Sequence, residues 1–426
     1  MAETNTAESV EHVNKSVLDN GLTVLTESID SVKSVSVGIW VRTGSRYEPT
    51  SEAGVTHFLE HMLFKGTEKR SAYDIALSME SAGGHLNAFT SPELTCYFAR
   101  CLDTEMPLAL DVLSDMILHP IFPEEELEKE KKVVLEEMKM YRDNPEDYIF
   151  EVFNSQLFKN DSLGRPIIGY EDTVNSFTRD QLYDYMGHQY GPEQVIISVA
   201  GNTTHEEVVE EAQKIFKGYG TRNTPFQIDG LAQYEPDKKT ITKPIEQTHY
   251  ILGRRSIAAD NENKYKLLLL NTILGGGMSS RLHQHIREQH GYCYSIHSFN
   301  QTYADTGLYG VYAGTDLSYT EHLKELILEE FETLRNQFVP EEEVQQAKSQ
   351  LKGRLLMSQE SMSSRMMRLA KNELYFKRFI TLDELVREID SVTPEQMKEF
   401  AIDFFDAGQF TETLLIPGNE TNSAGE

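Results

Sequence analysis

The chain has few of the residues that build disulfide frameworks, thiolate metal sites or membrane spans. Only three of its 426 residues are cysteines, Cys96, Cys101 and Cys293, and none of them has CxxC spacing, which argues against a disulfide scaffold and against a cysteine zinc site. It has no apolar run long enough to cross a bilayer, and the start MAETNTAESVEH lacks the basic and apolar parts of a secretory signal. We therefore expect a protein of the reducing cytoplasm that has no membrane partner.

Basic residues are also scarce relative to acidic ones. The chain has 40 lysines and arginines and 68 aspartates and glutamates, which gives a formal net charge of -28. Such a charge repels phosphate backbones and argues against nucleic-acid binding. It favours neutral or basic partners, basic peptides among them, although an acidic surface of this kind also has the simpler role of keeping a protein soluble.

The order of predicted elements in the first half of the chain suggests a domain that mixes a sheet with helices. Residues 15 to 46 alternate apolar and polar positions around an Asn20-Gly21 turn signal and predict an antiparallel strand pair. A helical stretch with HFLEHMLF, a Gly83-Gly84 break and a strand-like run, LNAFTSPELTCYFARCL, come next. A long helical stretch from about 104 to 142 is interrupted near HPIFP, and a further helix and the strand QVIISVAGN close this half.

The second half repeats this order, which predicts an internal repeat. Its pattern predicts two strands, a helix followed by a glycine-rich break, and two more strands. Long helices are predicted over 320–337 and 341–375. We predict an α+β protein of two similar domains, each a mostly antiparallel sheet packed with helices. The predicted boundaries are 14–217 for the first domain, 218–234 for a linker and 235–417 for the second domain.

The segment His57-Phe58-Leu59-Glu60-His61 in the first half carries the chemistry. On a helix His57 and His61 lie one turn apart, and Glu60 falls on the same face. Two neutral imidazoles can then bind one zinc ion while the carboxylate stands beside the bound water as a general base, as in HxxEH peptidases. The alternative is an ordinary helix with two histidines and a solvated glutamate. The second half of the chain has no HxxEH motif.

A catalytic zinc site needs a third protein ligand, and the helix that starts near Pro123 offers several glutamates. Its apolar residues, Leu127, Val134, Met138 and Tyr141, define an inward face, from which Glu136 points away. Glu137 and Glu130 flank that face, where a carboxylate without a cation is costly to bury. The phase predicts Glu137 as the third ligand and Glu130 as a carboxylate that orients a histidine. Pairing of both with Lys131 or Lys132 is the alternative.

With these residues the sequence resembles the inverzincin metallopeptidases of the pitrilysin and insulin-degrading enzyme superfamily. The resemblance is strongest to the mitochondrial processing peptidase branch and its short bacterial relatives. The resemblance covers nearly the whole chain. It is carried by HFLEHMLFKGT at 57–67, LNAFTSPELT at 86–95, EKEKKVVLEEM at 128–138, LGGGMSSRL at 274–282 and IREQHGYCYSI at 286–296. It implies zinc ligands at His57, His61 and Glu137, a general base at Glu60 and a supporting acid at Glu130.

The resemblance also implies residues that bind the substrate. The strand Asn87-Ala88-Phe89-Thr90 is expected to receive a peptide as an added strand, although it also reads as a plain edge strand. Arg287 and Tyr294, seven residues apart, match a pair that holds the substrate and stabilises the oxyanion. Tyr292 lies nearby, and core packing with a surface charge is the alternative for all three.

In longer relatives, two halves of this kind are joined in one chain and enclose a chamber, whereas this chain supplies one half. The resemblance therefore implies a homodimer in which Arg287 and Tyr294 face the zinc of the partner chain. We predict a zinc endopeptidase with one Zn²⁺ per chain that cleaves unfolded or short peptides inside this chamber. Manganese or cobalt can occupy such a ligand set as well. The alternatives are a non-catalytic scaffold and a peptide-binding subunit of a hetero-oligomeric processing peptidase.

Overall fold

A computed structural model describes residues 11–220, 224–228 and 230–418, and the chain forms two compact units of three segments each. The first unit consists of the chain up to Met138, Arg165–Gly230 and Met357–Asp383, and the second consists of Lys139–Gly164, Leu231–Leu356 and the remainder from Glu384. Each half of the sequence therefore contributes one segment to the unit built mainly from the other half.

The sheet of the first unit has six strands in the order β1-β2-β6-β3-β5-β4. All neighbours in this sheet are antiparallel except β2 and β6, which run parallel. The strands are β1 (Val13–Val17), β2 (Thr23–Ser28), β3 (Ser34–Val41), β4 (His85–Thr90), β5 (Thr95–Leu102) and β6 (Val195–Gly201). Within the described residues, β4, the last strand of the order, pairs only with β5 and leaves one edge open.

Helices cover both faces of this first sheet. One face packs on a large apolar core that includes Phe58, Leu110 and Val134. The helices whose sequence lies in the first half are α1 (Val55–Leu63), α2 (Ala72–Glu80), α3 (Met106–Leu118), α4 (Glu124–Asp143), α6 (Glu171–Ser176), α7 (Arg179–Gln189) and α8 (His205–Ile215). Helix α4 passes from the first unit into the second after Met138.

The other face of the first sheet is covered by α12 (Met362–Lys371), which comes from the second half of the chain. Met366 of this helix packs with Trp40 in a second, smaller core. A side chain at Gly38 would place its Cβ 2.4 Å from the Met366 sulfur, so the small residue in β3 is what lets the helix approach. Arg365 and Glu27 form an ion pair at this contact.

The second unit repeats the plan with a five-stranded sheet in the order β7-β11-β8-β10-β9. Its strands are β7 (Lys238–Lys243), β8 (Thr248–Ser256), β9 (Cys293–Thr302), β10 (Gly307–Thr315) and β11 (Thr411–Pro417), and only β7 and β11 are parallel. Its helices are α5 (Pro145–Leu157), α9 (Lys264–Gly275), α10 (Thr320–Asn336), α11 (Glu341–Ser358), α13 (Leu382–Ser391) and α14 (Pro394–Phe404). Helix α5, from the first half of the sequence, packs on one face of this sheet through Ile149 and Phe153.

The predicted fold class, two similar domains of sheet and helices, is confirmed, and so is the hairpin at Asn20-Gly21, where β1 pairs antiparallel with β2. The long helix predicted over 341–375 is wrong in one respect: it stops at Ser358, and Ser361 caps a new helix by accepting a hydrogen bond from the Ser364 N–H. The linear boundaries 14–217 and 235–417 follow the repeat in the sequence and stay a prediction. Of the predicted linker, 221–223 and 229 lie outside the described residues.

No helix within the described part of the chain combines the length and the apolar character that crossing a bilayer requires.

Candidate metal centre

Helix α1 carries His57, Glu60 and His61, and a buried polar contact fixes its first turn. The Glu48 carboxylate accepts hydrogen bonds from the backbone N–H groups of Gly54, at 2.7 Å, and Thr56, at 2.9 Å. These N–H groups have no partner inside the helix, so an acceptor is needed when the helix start is buried. On the other side of the helix Phe58, Leu59 and Met62 are fully buried in the core. The remaining face carries the two histidines and Glu60.

His57, His61 and Glu137 converge at one point between α1 and α4. The distances are 3.9 Å from His57 Nε2 to Glu137 Oε1 and 3.6 Å from His61 Nε2 to Glu137 Oε2. One ligand atom from each residue lies within 4.8 Å of the other two, and no other group of three such side chains was found in the described ranges 11–220, 224–228 and 230–418. Two imidazoles and a carboxylate are a donor set that zinc prefers at catalytic sites.

Glu130 lies one layer behind this group, at the side of His61. Its Oε2 is 3.0 Å from His61 Nδ1, and its Oε1 is 2.6 Å from Lys65 Nζ. A histidine that donates Nδ1–H to a carboxylate keeps its Nε2 lone pair free for a metal ion. Burial raises the pKa of Glu130, but the hydrogen bonds from His61 and Lys65 outweigh it and leave the pKa below its ordinary value. The alternative pairing of Glu130 with Lys131 is absent, because Lys131 bonds to Glu128.

The two histidines differ in their surroundings. Burial, with the neighbouring charge of His61, lowers the pKa of His57 to about 3, so this imidazole is neutral at ordinary pH. Burial also lowers the pKa of His61, but the hydrogen bond to Glu130 and the negative charges of Glu137, Glu130 and Glu60 raise it overall. A metal ion at Nε2 would compete with that proton.

The surroundings of the three residues fit a bound cation. Burial raises the pKa of Glu137, since only the His61 charge opposes it, and a carboxylate in that setting gains from a positive ion. His57 Nδ1 is buried and, within the described structure, makes no hydrogen bond. The residues therefore suit zinc in donor type, spacing and charge.

Glu60 stands beside these ligands and bonds to the neighbouring strand. Thr90 at the end of β4 donates a hydrogen bond from Oγ1 to Glu60 Oε2 at 2.5 Å. Burial raises the pKa of Glu60, and the bond from Thr90 and the charge of His61 partly oppose this. One carboxylate oxygen is thus engaged by Thr90, and the group is placed to accept a proton within the same site.

The predicted substrate strand is the open edge of the first sheet. Asn87, Ala88, Phe89 and Thr90 all lie in β4, which pairs with β5 on one side and with no strand of the described chain on the other. Ala88 packs toward the main core, whereas Phe89 contacts the Trp40 ring edge-on at 5.7 Å on the opposite face. An edge strand offers unpaired backbone groups to an incoming extended chain.

Arg287 and Tyr294 belong to the second unit, where the structure brings them together. The Arg287 guanidinium donates to the Tyr294 carbonyl oxygen at 2.9 Å and lies 5.9 Å from the Tyr294 ring. The Tyr294 side chain is 78% exposed. Tyr292, the neighbouring candidate, is instead stacked between the rings of His290 and Tyr319. The exposed Tyr294 is thus the better placed of the two tyrosines to meet a ligand, and the role of both Arg287 and Tyr294 stays a prediction.

Two residues around the site, Lys65 and Glu48, and one contact of Thr90 were not predicted from the sequence. Lys65 contacts Glu130, Thr90 contacts Glu60 in addition to its predicted place in the substrate strand, and Glu48 caps α1. Lys65 had a usable signal, since it follows His61 by four residues and so lies one turn further on the same side. The Thr90–Glu60 contact joins residues 30 positions apart, and the contacts of Glu48 with Gly54 and Thr56 span 6 and 8 positions; none of them follows a helical or strand period.

Two solved structures of similar fold come from Helicobacter pylori and Pseudomonas fluorescens. A protease from Helicobacter pylori has a TM-score of 0.90 at 21% identity, with 96% of this chain and 100% of that chain covered. A structure from Pseudomonas fluorescens described as a peptidase M16 inactive domain has a TM-score of 0.88 at 20% identity, with 96% and 100% covered. At these identities the likeness shows the fold.

Sequence relatives are closer. A Bacillus subtilis protein named an uncharacterized zinc protease is 41% identical over 94% of this chain and 97% of its own length. A protein of the same description from Rickettsia bellii is 37% identical over 96% and 98%. Residues 23–171 match the family described as insulinase, peptidase family M16, and residues 176–351 match the peptidase M16 inactive domain. These matches confirm the resemblance inferred from the motifs: the chain belongs to peptidase family M16, the insulinase family.

Proposed function

We propose that this chain is a zinc-dependent endopeptidase with one zinc ion per chain, bound by His57, His61 and Glu137. The observation that carries the proposal is the convergence of these three side chains beside Glu60, at one site in the described chain. Relatives named zinc proteases support it. Precursor processing and peptide clearance are both compatible with such a site.

A bound zinc ion would polarise a carbonyl group and lower the pKa of a water molecule toward neutrality. Glu60 accepts the proton of the attacking water and passes it to the leaving amine. Glu130 keeps His61 oriented through Nδ1. Strand β4 binds the peptide backbone as a neighbouring strand, and pockets beside it select side chains. Arg287 and Tyr294 hold the substrate and donate to the developing oxyanion.

The Glu60→Gln variant tests this assignment. We expect zinc to stay bound at one ion per chain, because Glu60 is not a ligand, while kcat for a peptide falls by a factor of about 10² to 10⁴. Metal analysis and a peptide assay with and without chelator measure both. The matched pair Glu137→Gln and Glu136→Gln serves as a control, since only the first of these adjacent residues faces the site. Undiminished turnover in Glu60→Gln would remove Glu60 from the role.

We further propose that two copies of the chain enclose the site in a chamber that admits unfolded or short peptides. The net charge of -28 favours basic peptides, because acidic walls attract them over a Debye length of about 8 Å at physiological salt. Matched basic and acidic peptides should differ in kcat/KM at low ionic strength, and the difference should shrink with added salt. Equal kcat/KM values at low salt would refute the preference. Cytoplasmic localisation is part of the proposal and is testable by cell fractionation.

A non-catalytic subunit of a hetero-oligomeric processing peptidase is the second candidate. The observation behind it is the match of residues 176–351 to a domain described as inactive. Such a subunit would bind peptides and hydrolyse none by itself. Peptide cleavage by the purified protein alone, abolished by chelator and restored by zinc, would exclude it.

A further inference from the structure

Lys65 is the basic side chain in contact with Glu130, the carboxylate behind the metal-binding group. Its Nζ lies 2.6 Å from Glu130 Oε1, while the other oxygen of the same carboxylate lies 3.0 Å from His61 Nδ1. The Glu130 side chain is only 6% exposed and that of Lys65 26%. Both oxygens of a buried carboxylate are therefore engaged, one by a cation and one by a predicted metal ligand.

The contact joins the two helices that supply the ligands. Lys65 follows the end of α1 and its backbone N–H still bonds to the Met62 carbonyl, whereas Glu130 lies in α4. Apolar residues of both helices, such as Met62 and Val134, share the main core, but apolar packing alone does not fix the rotation of a carboxylate. A charge-assisted hydrogen bond on Oε1 does fix it, and with it the direction in which Oε2 meets His61.

The backbone around Lys65 is held in place independently. Gly66 has a φ of +127°, a conformation that favours glycine, and its carbonyl accepts a hydrogen bond from the Ile121 N–H. The Thr67 hydroxyl donates to the buried Asp115 carboxylate at 2.7 Å. The N–H of Glu68 bonds to the His119 carbonyl. The loop that carries Lys65 is thus tied to the connection that leads into α4, so the position of Nζ relative to Glu130 is set by the fold.

We propose that Lys65 is a positioning residue for the metal centre: through Glu130 it orients His61 so that Nε2 points toward Glu137. This role rests on the proposed function, and it makes Lys65 one of the residues that determine zinc affinity. The positive charge of Lys65 is matched by Glu130, which makes this cation compatible with a nearby metal site.

The test is the zinc dissociation constant of Lys65→Met, measured on metal-free protein by competition with a chelator of known affinity. Residues that orient a ligand change metal affinity by about 10- to 100-fold, and we expect a loss of about tenfold for Lys65→Met. Lys65→Arg keeps the cation and should recover most of the affinity. Lys69→Met is the matched control, because Lys69 lies in the same loop, is 60% exposed and approaches Asp115 only to 3.9 Å; its affinity should equal that of the wild type.

A double-mutant cycle shows whether Lys65 acts through Glu130. If it does, Lys65→Met combined with Glu130→Gln should lose little more affinity than Glu130→Gln alone. The absorption spectrum of the cobalt-substituted protein, which reports ligand geometry, should change in Lys65→Met and not in Lys69→Met. Wild-type zinc affinity in Lys65→Met, or full additivity in the double variant, would overturn the inference. If Lys65→Met does not fold by circular dichroism, Lys65→Gln takes its place in the cycle.

Failure of the proposed function would look different. A wild-type protein that binds zinc but cleaves no peptide contradicts the peptidase proposal, while the affinities of the Lys65 variants still decide the positioning role. A wild-type protein with normal cleavage and an unaffected Lys65→Met affinity contradicts only the role of Lys65.

Discussion

Glu48 is a buried carboxyl group beneath the first turn of α1, where it accepts a hydrogen bond from the N–H of Thr56, the residue before His57. Burial raises its pKa to about 7, against the opposing effect of the Gly54 and Thr56 N–H groups and the Arg165 charge. Because the folded pKa lies above the unfolded value of 4.5, the native state binds more protons than the unfolded state between these two values. The stability that Glu48 contributes is present below pH 4.5 and is lost as the pH rises through about 7.

Replacing Glu48 with glutamine should therefore change how stability depends on pH. The difference between a pKa of about 7 and one of 4.5 corresponds to about 3 kcal/mol. We expect the free energy of unfolding of the wild type, relative to Glu48→Gln, to fall by up to that amount between pH 4.5 and 8. Urea unfolding of the metal-free proteins at several pH values measures it. A constant offset from altered hydrogen bonds is compatible with the argument, but a pH-independent difference contradicts it.

At this same scale the sequence predicted which three side chains, His57, His61 and Glu137, come together, but not which residues support them. Glu137 and Glu136 are adjacent, and the phase of α4 alone was enough to point Glu137 inward and Glu136 to solvent, as the structure has them. The reason is that the apolar stripe fixes the rotation of a helix. Lys65 and Glu130 are 65 residues apart, and no local period connects them, so their contact required the fold.

The turn into α1 is the element on which the metal centre depends most directly. Gly54 precedes the helix with a φ of +93°, and a Cβ there would lie 2.6 Å from the Ile168 carbonyl oxygen and 2.7 Å from the Gly169 Cα. The turn therefore needs glycine for its backbone conformation and for the close approach of a second chain segment. Both requirements place His57, three residues later, at its observed position.

Gly54→Ala and Gly83→Ala separate these two requirements. Gly83 also has a positive φ, +70°, but no atom lies within 4 Å of its hypothetical Cβ. We expect Gly83→Ala to cost about 1 kcal/mol for the backbone conformation alone, and Gly54→Ala to cost at least ~3 kcal/mol because overpacking adds to it. Zinc affinity should fall only in Gly54→Ala. Chemical unfolding and chelator competition provide the two measurements, and equal losses for both variants would refute the importance of close packing at Gly54.

At the scale of elements, the periodicity of the sequence predicted the strands and helices, but it did not always predict where they end. The interruption at HPIFP was predicted and separates α3 from α4. The inward position predicted for Tyr141 is wrong, since its side chain is 39% exposed: the buried stripe of α4 ends at Met138, where the helix leaves the first unit. A local pattern carries no information about which unit a residue belongs to. For the same reason the sequence did not predict that the helix over 341–375 is interrupted after Ser358.

On the scale of the whole molecule, the two units share an architecture, and the described chain has one group of three side chains suited to hold a metal ion. The exposed Tyr294 and its neighbour Arg287 lie in the unit without that group. If a homodimer supplies Arg287 and Tyr294 to the zinc of the partner chain, each active site contains residues from two chains. A symmetric dimer then has two equivalent composite sites.

Mixing two inactive variants tests this arrangement. Glu60→Gln lacks the base and Tyr294→Phe lacks the hydroxyl group, so each homodimer should have strongly reduced kcat. In a mixed dimer one of the two sites combines the intact Glu60 of one chain with the intact Tyr294 of the other. With random exchange roughly a quarter of all sites are then intact, and about that share of the wild-type activity should return. Restoration should require subunit exchange and should fail for Glu60→Gln mixed with His57→Ala, because these two changes lie in the same half of the composite site. No recovery after demonstrated exchange, or full activity of the wild type as a monomer at high dilution, would mean that each chain works alone.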